Sequence, residues 1–195
     1  MKLMSLRIVF IAFLTLFFFS SGCAKNHRVL ITPSLPIHNS NIGKGLPVAV
    51  KVVDIRSSNV ISKWQGGLKV RKFTVISQGD LKDIFTIRIK QGLTKLGFSP
   101  KTFNSKTERV LKIEILNIKS RYQENIPRMN VQVKADVRAT WQNQEKRLSK
   151  IFTSKKIRFD ITPTTFPNEK LLNASLSEIM GKIFSNPSLI ACLVQ

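Results

Sequence analysis

The sequence predicts an α+β fold. A mostly antiparallel sheet should carry two helices packed on one face, in the order β-α-β-β-β-α. Three observations lead there. Residues 131–141, VQVKADVRATW, alternate strictly between apolar and polar side chains, the signature of a strand with one buried and one wet face. Two other segments, within 77–97 and after Pro167, repeat apolar residues with helical spacing. With 195 residues, the chain is long enough for one domain with a real core.

The first strand is VAVKVVD, where Val48, Val50 and Val52 alternate with Ala49, Lys51 and Val53. Residues 57–67, SSNVISKWQGG, read as a loop holding Trp64, and LKVRKFTVIS at 68–77 reads as a further strand. Helix 77–97 is the clearest. Leu81, Ile84, Phe85, Ile89, Leu93 and Leu96 form one apolar face, with Ser77 and Asp80 placed for a capping box. Gly97 and Pro100 stop it. Leu111, Ile113 and Ile115 mark a strand before the long one at 131–141, and QNQEK makes a turn. Ile151, Thr153, Ile157, Phe159 and Ile161 then return as its partner. Leu172, Leu176, Ile179 and Ile183 make the second helical stripe, ended by Asn186-Pro187. No internal repeat is visible, and packing both helices on one sheet face gives a two-layer sandwich over 47–195.

The first 46 residues follow different rules. Lys2 and Arg7 precede Ile8–Phe19, a run of 12 residues without charge. A membrane-spanning helix needs about 20, so the run fits the apolar region of a secretory signal. Ser20, Ser21 and Gly22 supply small residues before Cys23. This resembles a bacterial lipoprotein signal, which implies residues 1–22 are removed and Cys23 is acylated. The departure is Ser20, where that pattern usually has an aliphatic residue. Ordinary cleavage, with Cys23 as a bystander, and a retained span are the alternatives. Ala24, in place of Asp, resembles the outer-membrane type, facing the periplasm. Residues 23–46, rich in Asn, Ser, Pro and Gly, read as a flexible tether carrying His27 and His38 as solvated loop residues.

Thirty-two Lys and Arg against 11 Asp and Glu give a net charge of +21. Without Lys2 and Arg7, 30 basic residues remain against 11 acidic ones, a charge of +19. Such a surface attracts anions, with anionic lipid, lipopolysaccharide or an acidic envelope protein as the expected partners. The exposed strand positions lack the stacking aromatics of RNA-reading sheets, so no nucleic acid is expected. A basic anion- or nucleic-acid-binding domain, and after it an envelope hydrolase, stand as the alternatives to a lipid-anchored binding or assembly module. There is no clustered set of metal ligands, no GxSxG and no GxxxxGK[ST]. A Ser-His-Asp triad would need a tether histidine. The expectation is a protein without metal, cofactor or enzymatic activity. The second cysteine, Cys192, lies in the apolar tail LIACLV and should pack as a small hydrophobe.

Several residues carry two readings each. Asp54 and Arg56 share a strand-end face and could meet a ligand or pair with each other. Trp64, beside Gly66-Gly67, is either an interaction loop or a lid on the core. Lys134 and Arg138, with Lys155, Lys156 and Arg158 on the returning strand, form either an anion-facing surface or a solvated edge that resists aggregation.

Together, GCAK at 22–25, Asp54-Ile55-Arg56, GDLKDIFTIRIKQGLTKLGF at 79–98, VQVKADVRATW with its returning strand, and the terminal helix resemble the YajG-type bacterial lipoproteins. The resemblance implies a small envelope lipoprotein and supplies no catalytic residues.

Overall fold

Two sheets form in the chain, in a computed structural model that describes residues 25–65, 72–104, 107–125, 128–160 and 168–195. Residues 1–22, read above as a signal, lie outside this description, as do Cys23, Ala24, Gly66-Gly67, Ile161 and the side chain of Trp64.

The elements are β1 (Lys25–Val29), β2 (Pro47–Asp54), β3 (Val60–Gln65), β4 (Lys72–Ser77), α1 (Leu81–Lys95), β5 (Ser99–Thr102), β6 (Val110–Asn125), β7 (Arg128–Gln142), β8 (Arg147–Asp160), α2 (Asn168–Phe184) and α3 (Pro187–Val194). The larger sheet has the order β5-β2-β6-β7-β8 and the smaller β1-β4-β3. The α+β class therefore holds, but the larger sheet is mixed. β2 pairs in parallel with both β5 and β6, while β6-β7 and β7-β8 are antiparallel. The parallel pairs arise because α1 returns the chain between β2 and β5, a crossover that a hairpin cannot make.

α1 packs on β2 and β5, and α2 packs on β7 and β8 with α3 beside it. Val133, Ala135, Val137, Ala139 and Trp141 of β7 join Leu172, Leu176, Ile179 and Ile183 of α2 and Phe85, Ile89 and Leu93 of α1 in one core. Gly92 leaves room on α1 for Phe184 at the end of α2, since a Cβ there would enter the Phe184 ring.

Three local readings change, while Gly97 ends α1 as the sequence predicts. Residues 60–65 are strand β3, not loop. Asp80 alone caps α1, accepting the Lys82 N–H at 2.8 Å, while Ser77 ends β4. Gly97, at φ +83°, takes the left-handed conformation that closes α1. Asn186-Pro187 ends α2 and also starts a third helix. Asn186 Oδ1 accepts the Leu189 N–H at 3.2 Å and Pro187 occupies the first turn, where a missing N–H costs nothing. Cys192 is buried on α3.

The segment read as tether is structured wherever it is described. β1 joins β4, His27 lies against the Phe73 ring with centroids 4.9 Å apart, and Val29 and Ile31 are buried. Residues 30–34 then lie along α2. The N–H groups of Leu30, Thr32 and Ser34 donate to Glu169 Oε2, Asn173 Oδ1 and Ser177 Oγ at 3.1, 2.7 and 2.7 Å. Asn173 Nδ2 returns a bond to the Leu30 carbonyl at 2.9 Å. Two residues of extended chain advance about 6.6 Å and four of helix about 6 Å, so alternate strap amides meet successive helix turns. Leu35, Ile37 and Leu46 continue the packing.

Candidate functional site

Two regions hold the residues singled out from the sequence, apart from Cys23 and from Trp64, whose backbone lies in β3 opposite Phe73. The first is a cleft of about 790 Å³ at the carboxyl end of β2, beside the start of α1, lined among others by Lys51, Asp54, Arg56, Asp80, Lys82 and Phe103. Asp54 and Arg56 meet in a forked pair. Arg56 Nε donates to Asp54 Oδ1 at 2.9 Å and Nη2 to Oδ2 at 2.7 Å, and the Arg56 N–H also donates to Oδ1 at 3.2 Å. Partial burial pushes the Asp54 carboxyl up, but its bonds to Arg56 and the guanidinium charge outweigh this and hold it below the usual carboxylate range. The Arg56 side chain is 8% exposed, and its Nη1 is buried without a hydrogen-bond partner. Lys51 Nζ stands 4.6 Å from the Phe103 ring centre. The cleft is open and of mixed charge.

The second region is the sheet surface of β6, β7 and β8, where the basic residues divide. Lys134 faces Lys155, and Arg138 faces Ile151, on the outer side. Lys156 faces buried Val133 and Arg158 faces buried Val131, on the helix side. The five cations read as one group thus belong to two faces, because adjacent strand residues point in opposite directions. Lys156 pairs with Glu178 of α2, which also binds Lys182 and accepts from Ser154 Oγ at 3.1 Å. Those two lysines hold the Glu178 carboxyl at about 2.

β8 is also inverted relative to the sequence reading. Phe152 and Ser154 are buried, while Ile151, Ile157 and Phe159 are 51, 50 and 65% exposed. The hairpin decides this. Asn143 Oδ1 accepts the N–H groups of Glu145 and Lys146 at 3.0 and 2.6 Å, and Gln142 faces Arg147. That register sets each odd residue of β7 opposite an even residue of β8. Phe159 thus gives the outer face an exposed aromatic that the sequence reading did not place there.

On the outer face, Arg138 meets Glu114 at 3.4 Å, Lys112 meets Glu114 at 2.8 Å, and Lys134 meets Asp136 at 3.3 Å. The bond from Lys112 leads in holding Glu114 down. Burial raises Asp136, but bonds from Thr153, Asn117 and Lys134 bring it lower still. Lys119, which the sequence reading passed over, stands directly opposite Lys134 from β6. Among the described residues, no group of three His, Cys, Asp or Glu side chains is placed to hold a metal. No helix among them is long and apolar enough to cross a membrane.

Residues 33–194 match the Lipoprotein_16 family model, described as an uncharacterized lipoprotein. The chain belongs to this lipoprotein family. Its members are lipid-anchored envelope proteins, and the match covers nearly all of the folded body. No curated protein matches. Among solved structures, protein XCC0632 from Xanthomonas campestris is similar at 11% identity and a TM-score of 0.48, over 88% of this chain and 95% of that one. A neuraminyllactose-binding hemagglutinin homolog from Helicobacter pylori gives 8% and 0.43, over 83% and 94%. Lipoprotein GNA1162 from Neisseria meningitidis gives 10% and 0.39, over 72% and 99%. Likenesses this distant carry nothing about function.

Proposed function

We propose that this lipoprotein is acylated at Cys23, anchored in the inner leaflet of the outer membrane, and works in the periplasm as a non-enzymatic binding or assembly module of the YajG type. Membership of a lipoprotein family is the observation that carries this reading. The sequence before residue 25 fits it, with a charged start, a 12-residue apolar run and small residues before Cys23. More than one acyl chain makes such an anchor stable, where a single chain binds only marginally.

The state of the carboxylates favours binding over catalysis. A general acid or base works best with a pKa near the working pH. Asp54, Glu114, Asp136 and Glu178 are instead held low by cations and hydrogen bonds, which suits fixed anions in a scaffold. The Asp54–Arg56 cleft and the outer sheet face are the two surfaces offered to partners.

The intact mass of the chain extracted from membranes tests this reading, beside Cys23→Ala. A chain starting at acylated Cys23 is expected, and Cys23→Ala should lose both the mass and the membrane fraction. A chain cleaved elsewhere, or carrying an unmodified Cys23, would overturn it.

A further inference from the structure

The outer face of the β6-β7-β8 sheet carries a row of like charges. Lys119, Lys134 and Lys155 stand directly opposite one another across three strands, and all three are exposed. Like charges in cross-strand register repel, and Asp136, which also accepts from Asn117 and Thr153, bridges to Lys134 at 3.3 Å. The next row is Arg121, Gln132 and Ile157, and beyond it Phe159 faces Asn130. Four cations thus adjoin two apolar side chains that are at least half exposed. Water solvates the lysines well but gains nothing from Ile157 and Phe159.

This patch lies at the end of the molecule from which the anchor would issue. Lys182 Nζ donates to the Thr153 carbonyl at 3.0 Å, and Glu178 holds Ser154 and Lys156. α2 and β8 therefore run in opposite directions. Nine residues back along α2, about 13 Å, correspond to about four residues forward on β8. Glu169 is then level with the segment from Arg158 to Asp160. Leu30 is bonded to Glu169, and residues 30–34 run from there toward the far end of α2. Followed backward from Leu30, the chain heads toward the Phe159 end and passes through β1, and only Ala24 separates Lys25 from Cys23. A leash that short leaves this end of the domain beside the bilayer surface.

We infer that the outer sheet face around Lys119, Lys134, Lys155, Ile157 and Phe159 docks on the anionic phospholipid headgroups of the leaflet that anchors the protein. The inference rests on the lipid anchor proposed above. Lysine ammonium groups would take the phosphates, while Ile157 and Phe159 enter the boundary between headgroups and acyl chains. The docked face fixes which way the Asp54–Arg56 cleft points. A second copy is a poorer occupant. Two β8 edges paired antiparallel would bring the cations at 150, 155, 156 and 158 of each copy together.

The test uses the full lipidated chain carrying Phe159→Cys and an environment-sensitive fluorophore. Acylation blocks the Cys23 thiol, and Cys192 is buried. Vesicles contain phosphatidylcholine alone or with phosphatidylglycerol, and intact mass is recorded first. If Cys23 is not acylated, the anchor reading fails on the mass alone, and the same vesicles still report on the face through peripheral binding of a chain labelled with Cys23→Ser added. Docking predicts a blue-shifted, lipid-quenched label only with phosphatidylglycerol. The docked-to-free ratio should fall about fivefold for each lysine lost in Lys119→Gln, Lys134→Gln and Lys155→Gln. High salt should return the label to its value in phosphatidylcholine. Equal signals in both vesicles would overturn the inference, as would an unaffected triple variant. A response that requires lipopolysaccharide would also overturn it, reassigning the face to that anion.

Discussion

Glu178 shows how much one residue does for this fold. Its carboxylate joins α2 to β8 through Lys156 and Ser154 while pairing with Lys182 one turn along. Hydrogen bonds from Lys156 and Lys182 lower it from an ordinary 4.5 to about 2. A carboxylate with a depressed folded pKa adds stability above its unfolded value and loses it as pH falls toward the folded one. The Glu178 contribution should therefore be complete above about pH 4.5 and fade between there and about pH 2. Melting curves of Glu178→Gln and the parent should converge across that window and stay apart at neutral pH. A constant gap would mean that the ion pairs contribute nothing beyond packing. The Asp54-x-Arg56 spacing suggested a pair from sequence alone, but that Nη1 is buried without a hydrogen-bond partner emerges only in the folded chain.

At the scale of elements, the strap at 30–34 is the main departure from the sequence reading. Its residues look like linker because a single extended strand on a helix leaves no period of its own. The pattern lies instead in Glu169, Asn173 and Ser177, spaced four apart on α2. Asn173→Ala removes two of these bonds, at about 0.5–1.5 kcal/mol each. Hydrogen exchange at the amides of Thr32 and Ser34 should accelerate about tenfold while α1 keeps its protection. Equal acceleration throughout would make the strap an inseparable part of the core. β6 hides its length in a different way. A bulge between Ile115 and Asn117 shifts its phase, so Leu111, Ile113 and Ile115 are buried on odd numbers and Ile118 and Ser120 on even ones. Alternation read from sequence stops at Ile115, although the strand runs to Asn125.

The whole molecule is set by its charge. With 30 basic residues against 11 acidic ones from residue 23 onward, folding gathers cations that the extended chain keeps apart. Self-repulsion should weaken the compact state at low ionic strength. The midpoint of thermal unfolding should rise by several degrees as salt approaches about 0.1 M, where the Debye length shrinks to about 10 Å. Reversing part of the charge with Lys119→Glu and Lys155→Glu should flatten that dependence. An unchanged salt slope would show that the three-lysine row is already neutralised by neighbours.

The α+β class, both long helices with their apolar stripes, the β7 strand and the Asp54–Arg56 pair were legible because each rests on local spacing: 3.6 residues per helical turn, two along a strand. The apolar run ahead of Cys23 is local in the same sense. Which face of β8 is buried, which cations share a surface, and where residues 30–34 dock were decided only by the tertiary structure. Each depends on register, and register comes from partners that the linear order does not reveal: the Asn143 hairpin, the β6 bulge and the side chains of α2. A one-residue shift moves every side chain of a strand to the opposite face. For this reason the composition announced a basic protein, while the placement of Lys134 with Lys119 rather than with Lys156 needed the folded sheet.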